Sequence, residues 1–125
     1  MSFQLTSALT TEILTRIVSD AAANSPSVIA VGLVGSFARN EQKSNSDVDL
    51  LVKTDGTQSF SQSIEQFGAY VHHVLDYQFN RRVDVVRYDM AVDRAARRPN
   101  EGETWFFHEG FVQMLEEVRW IYEKR

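Results

Sequence analysis

The 125-residue chain has no cysteine. That excludes disulfide staples, thiolate metal ligands and a nucleophilic thiol, and it fits a reducing, cytoplasmic setting. Cations are also in deficit: 13 Lys and Arg stand against 17 Asp and Glu, a formal net charge of -4. Such a balance argues against a broad nucleic-acid surface, since phosphate backbones are held by clustered positive charge. No apolar run approaches the roughly 20 residues needed to span a bilayer. The opening MSFQLTSALTTEILTRIVSD lacks the basic start and apolar core of a signal peptide. Repeats, low-complexity tracts and an interdomain linker are absent too. What remains is an ordinary globular composition, 43% hydrophobic and 24% charged, which predicts one domain over residues 1–125 around one core.

Periodicity assigns the elements. Leu9, Ile13, Ile17 and Ala21 form one stripe of a helix over Thr6 to Ala23, ended by the proline of Asn24 to Pro26. SVIAVGLVG reads as a buried strand, Ser36 to Asn40 as a short helical turn, and EQKSNS as a polar loop. Val48 to Lys53 is a second strand. Phe60 to Tyr77 is a helix with Ile64, Phe67, Val71, Val74 and Leu75 inward. RRVDVVRYD is a third strand, Ala91 to Arg98 a short helix, and RPNEGE a break. Thr104 to Tyr122 is predicted as a final helix, with Phe107, Phe111, Met114, Leu115, Val118 and Ile121 inward. Strands mixed with crossover helices imply an α/β (α+β) layer structure with a small mixed sheet flanked by helices. The short link between the first two strands favours antiparallel pairing, and the helical link to the third favours parallel pairing.

The segment VGLVGSFARNEQKSNSDVDLLV, Val31 to Val52, carries the chemistry. Strand alternation puts Asp47 and Asp49 on one face, about 6 to 7 Å apart, and leaves Val48, Leu50 and Val52 for the core. Like charges this close call for a cation, and magnesium prefers carboxylate oxygens, water and phosphate. If the second and third strands are neighbours, Asp84 joins the pair. Three carboxylates can hold two metals for a phosphoryl transfer. Gly35 permits close backbone approach, and a helical turn opening at Ser36 offers N–H groups and a hydroxyl to a phosphate. Each feature alone has a plain reading. Asp47 suits a strand start, Asp84 a solvated strand face, and Ser36 an N-cap after a glycine turn.

Together, Gly35-Ser36, a ten-residue gap, Asp47-Val48-Asp49-Leu50 and the later Asp84 resemble the nucleotidyltransferase superfamily that includes DNA polymerase beta. The fuller string is most similar to its minimal branch, the MNT or MntA-like proteins. The resemblance implies the nucleotidyltransferase fold, Mg2+ as cofactor and ATP as substrate. It implies that Gly35 and Ser36 bind phosphate, and that Asp47 and Asp49 bind metal. Asp84 would be the third carboxylate, a base or second-metal ligand for the incoming hydroxyl. Arg39 matches a basic position after the Gly-Ser turn and would touch phosphate. The chain departs from the pattern at Asn40, where many members have Gly. Asn tolerates the left-handed backbone better than most residues. By the same resemblance the chain is expected to pair with a helical HEPN-type toxin and, as an antitoxin, to move AMP from ATP onto that partner's tyrosine, as part of a homo- or hetero-oligomer. Transfer to a small molecule such as an antibiotic, and neutralisation of the partner by binding alone, are the competing expectations.

Other features have plain structural readings. His72, His73 and His108 lack metal spacing. Arg94 to Arg98 suits a solvated basic face. Trp105, Phe106 and Phe107 cannot all face one core from one helix, so rim packing is expected of one of them.

Overall fold

The computed structural model describes residues 8–43, 45–96 and 105–124, the side chains of 105–107 excepted. Four strands form one mixed sheet in the order β3-β2-β1-β4. Strand β1 (Val28–Val34) pairs antiparallel with β2 (Val48–Thr54), and β2 pairs parallel with β3 (Val83–Arg87). Both pairings follow from connection length, as the sequence predicts.

Helix α1 (Thr11–Ala23) is capped by the Thr10 hydroxyl, which accepts from Ile13 N–H at 3.1 Å. It starts later than periodicity suggests, and the predicted first residues Thr6 and Ser7 lie outside the described ones. Its buried stripe is Leu14, Ile17, Val18, Ala21 and Ala22. Helix α2 (Phe60–Phe79) opens with a capping box between Ser59 and Gln62 and stops where Asn80 turns left-handed at φ 51, a conformation open to Asn at low cost. Phe67, Val71 and Leu75 are fully buried, with Ile64 and Val74 packed alongside.

The sheet is covered on both faces. Val31, Leu33, Val48, Leu50, Val52 and Val83 meet α1 and α2 in the larger core. Val34, Leu51 and Val86 meet Ala91 of α3 (Tyr88–Ala96) and Phe111, Met114 and Leu115 of α4 (Trp105–Glu117) in the smaller one. α3 begins directly after β3, three residues before the predicted start, and Arg97 and Arg98 lie outside the described residues.

The last predicted helix is corrected. α4 ends at Glu117, and Arg119–Glu123 is a fourth strand, β4, antiparallel to β1. Val118 packs with the α4 core on one face of the sheet, whereas Ile121 and Tyr122 pack on the other. A single helix cannot reach both faces. The segment also closes what would be an open edge of β1, whose unpaired N–H and C=O groups favour a partner strand. Gly32 makes the approach possible, since a Cβ there would collide with Val118 Cγ2 and come 3.2 Å from Trp120 Cε3. Among the described residues no helix is long and apolar enough to cross a membrane.

Candidate active site

The parallel register sets Asp49 directly beside Asp84, and Val48 beside Val83. Val48 and Val83 are buried in the larger core, so alternation turns Asp49 and Asp84 to the opposite face, the α3–α4 side. Asp49 is half-buried there, while Asp84 and Asp47 are exposed. Asp47 stands one residue before β2, at the same end of the sheet. Of the three acids expected from sequence, the structure sets Asp49 and Asp84 side by side and leaves Asp47 at the same end of the sheet.

Their electrostatics is strained. Burial pushes the Asp49 carboxyl above the ordinary carboxylate range. The charges of Asp84 and Asp47 push it the same way, as does a side-chain hydrogen bond with Asp84. Arg39 is the cation that opposes this, and its effect is the weakest of these.

Gly35 ends β1 beside this pair at φ +72. An added Cβ would lie 2.6 Å from Asp49 Oδ2. Glycine is needed twice here, for the left-handed backbone and for the room. Beyond it the chain makes one helical turn. Arg39 N–H donates to Gly35 O at 3.2 Å, Asn40 N–H to Phe37 O at 3.3 Å, and Glu41 N–H to Ser36 O at 2.9 Å. Asn40 closes the turn at φ 57, so the expected departure from glycine leaves the turn intact. Phe37 anchors it, fully buried in the larger core. The leading N–H groups of such a turn have no carbonyl partner within it, which suits an anion. Ser36, half-buried, opens that turn.

Arg39 is drawn elsewhere. Its Nε donates to Glu41 Oε1 and its Nη1 to Glu117 Oε2, both at 2.9 Å. Glu117 also accepts from Gln113 Nε2 at 2.8 Å. These contacts hold its carboxyl below the ordinary range, the Gln113 hydrogen bond most of all. Arg39, Gly35 and Asp49 line one wall of a cleft of about 290 Å³, and Gly110, Gln113, Met114 and Glu117 of α4 line the other. Sequence reasoning missed this α4 wall. Gln113 and Glu117 bear no motif, and their only signal is the four-residue spacing of a helix face.

Whether a divalent metal suits the site follows from the donors. Among the described residues no group of three or more His, Cys, Asp and Glu converges as a metal cluster. The arrangement is a paired Asp49 and Asp84, with Asp47 near enough to repel. These are hard oxygen donors, short of positive charge, and Asp49 among them lines the cleft. They fit Mg2+, which keeps water and substrate phosphate in its shell and needs few protein ligands.

Arg81 supports the acidic end of the sheet. It is buried, donates from Nη1 to Ser46 O at 2.9 Å, and lies 5.9 Å from the Phe37 ring centre. One side chain thereby ties the residue before Asp47 to the Gly-Ser turn. His72 and His73 are exposed, and His108 Nδ1 lies 3.3 Å from Arg94 O. The side chains of Trp105, Phe106 and Phe107 lie outside the described ones.

A family model described as a nucleotidyltransferase domain matches residues 14–109. No curated protein sequence matches the chain. Among solved structures, the chain is similar to a toxin–antitoxin crystallised with AMP-PNP, with a TM-score of 0.57 and 16% identity over 89% of this chain and 74% of that one. It is also similar to a mutant of the toxin–antitoxin MntA–HpeT, with a TM-score of 0.52 and 15% identity over 94% of this chain and 75% of that one.

Proposed function

The chain belongs to the nucleotidyltransferase domain family, and from that premise we propose that it transfers AMP from ATP to a hydroxyl of a HEPN-type partner protein, as the antitoxin of a pair. The observation that carries the reading is the close set of Gly35, Asp49 and Asp84. A glycine whose Cβ would strike Asp49 Oδ2 brings the phosphate-binding turn against a carboxylate that is itself paired with a second one. Toxin–antitoxin neighbours, one of them with a nucleotide analogue, support the choice of nucleotide and partner.

The acceptor oxygen attacks the α-phosphorus of ATP. The bond from that phosphorus to the bridging oxygen of the β-phosphate breaks, and pyrophosphate leaves with the electron pair. Asp84 takes the acceptor's proton and passes it to solvent. The turn at Gly35 and Ser36 holds the phosphates, and Asp47 and Asp49 would hold Mg2+ with Asp84. Bound Mg2+ supplies neutralisation of the charge that builds on the phosphate and leaving oxygens. Arg39 leaves Glu117 for phosphate when the nucleotide enters. The setting of this chemistry is the cytoplasm.

The test is incubation with ATP labelled at the α-phosphate and a HEPN-type partner. Wild-type protein is expected to label the partner in a Mg2+-dependent manner. Asp47→Ala/Asp49→Ala is expected to lose at least about 100-fold in rate, the scale of losing charge stabilisation at a phosphoryl centre. Equal labelling by the double variant would overturn the assignment. Loss of label with full neutralisation of the partner would show that binding alone is the function.

A further inference from the structure

The cleft beside Gly35 has two unlike walls. Gly35, Arg39 and Asp49 line one of them, with the backbone N–H groups, guanidinium and carboxylate that suit phosphate and metal. Gly110, Gln113, Met114 and Glu117 line the other, all from one face of α4. Val34 and Val86 complete the lining.

Phosphate does not suit the α4 wall. The charged group there is the Glu117 carboxylate, which Gln113 and Arg39 hold below the ordinary range, so it is ionised at neutral pH. Two anions facing each other across a cleft of about 290 Å³ repel. Val34, Val86 and Met114 are apolar, and apolar sides with a few directed polar groups suit a flat ring. A nucleotide has one part of each kind. With its phosphates on the Gly35 wall, its base falls to the α4 wall.

Gln113 is the directed polar group. Its Nε2 donates to Glu117 Oε1 at 2.8 Å. A carboxylate only accepts, so the amide must turn its nitrogen to Glu117 and its oxygen away. Among the described residues nothing donates to that oxygen, and Gln113 is exposed. An exocyclic amine on a base can donate to it. A carbonyl at the same ring position sets acceptor against acceptor and leaves both unpaired.

We propose that the α4 wall is the base subsite and that Gln113 sets its specificity. Gln113 Oε1 accepts from the exocyclic amine of the base, so the cleft takes adenine or cytosine nucleotides and disfavours the carbonyl-bearing hypoxanthine and uracil. Glu117 is a positioning residue, holding the Gln113 amide in one of its two orientations. The proposal rests on the nucleotidyl-transfer reading of the cleft and adds the feature that selects the nucleotide.

The experiment titrates the full chain, with Mg2+ present, against AMP-PNP and its inosine counterpart in a calorimeter. The two differ at the 6-position of the purine, amine against carbonyl. Wild type is expected to bind AMP-PNP at least about tenfold more tightly, the scale of one hydrogen bond made against two acceptors left unpaired. Cytidine triphosphate is expected to outbind uridine triphosphate in the same sense. Gln113→Lys replaces the acceptor by a donor and is expected to bring the purine ratio to about one or below. Gln113→Glu keeps an acceptor and is expected to preserve the preference. The ratio is the readout, because a change in folding or overall charge moves both affinities together, and thermal melts accompany both variants. Equal wild-type affinities, with both analogues bound, would overturn the base subsite. So would an unchanged ratio in Gln113→Lys. Failure of both analogues to bind wild type would instead overturn the nucleotide reading of the cleft.

Discussion

At the scale of single residues, Asp49 is stabilised poorly and positioned well. Its carboxyl is half-buried and faces two other acids. Its proton is held more tightly in the folded chain than in the unfolded one. The stability linked to that proton is fully present below the ordinary carboxylate value and is lost as pH rises through the raised one. In chelator, Asp49→Asn is expected to melt a few degrees above wild type at neutral pH, and the difference is expected to vanish as pH falls below about 4. Melting curves against pH check this, and a lower melting point for the variant at neutral pH would refute it. The same variant is expected to lose transfer, the usual trade between stability and a strained site. Gly35 is the second such residue. Gly35→Ala would carry φ +72 with a Cβ 2.6 Å from Asp49 Oδ2. It is expected to cost about 1 to 3 kcal/mol in urea unfolding and to cut transfer at least tenfold, because the carboxylate must move.

At the scale of elements, β4 turns a three-stranded sheet into a four-stranded one and covers β1. Its docking depends on the missing side chain at Gly32, where Val118 and Trp120 close in. Gly32→Val is expected to displace β4 and lower stability by about 2 to 4 kcal/mol, the range of overpacking plus lost pairing. Loss of amide-exchange protection confined first to residues 119–123 and to the facing side of β1 would identify the cause. Uniform loss across the sheet would argue for global destabilisation instead. The helices are less dependent on distant partners. Ser59 and Gln62 cap α2, and Asn80 ends it, so its limits are local chemistry.

At the scale of the whole molecule, two pieces far apart in sequence share the cleft. Arg39 follows the Gly-Ser turn, and Glu117 closes α4. Both ends of this pair are partly exposed, and exposed ion pairs are weak. Releasing Arg39 therefore changes nucleotide affinity by no more than about fivefold. Glu117→Gln is expected to tighten AMP-PNP binding by about two- to fivefold in calorimetry, and Arg39→Ala to abolish that gain. Weaker binding in Glu117→Gln would show that the pair shapes the cleft rather than competing with phosphate.

The sequence by itself determined most of the local elements and the shared face of the acidic motif. Period 2 turned Asp47 and Asp49 away from Val48 and Leu50, Gly35 and Asn40 stood where left-handed backbone is tolerated, and helical stripes marked α1 and α2. Connection length was enough to assign both pairings of β2. Only the tertiary structure decided the rest. Val118, Ile121 and Tyr122 carry a spacing that suits a helix, yet they sit on opposite faces of a sheet, and it was the open edge of β1 that drew them there. The cleft wall of Gln113 and Glu117 and the diversion of Arg39 are likewise contacts across the fold. Their physical cause is burial and charge pairing between segments that no local period records.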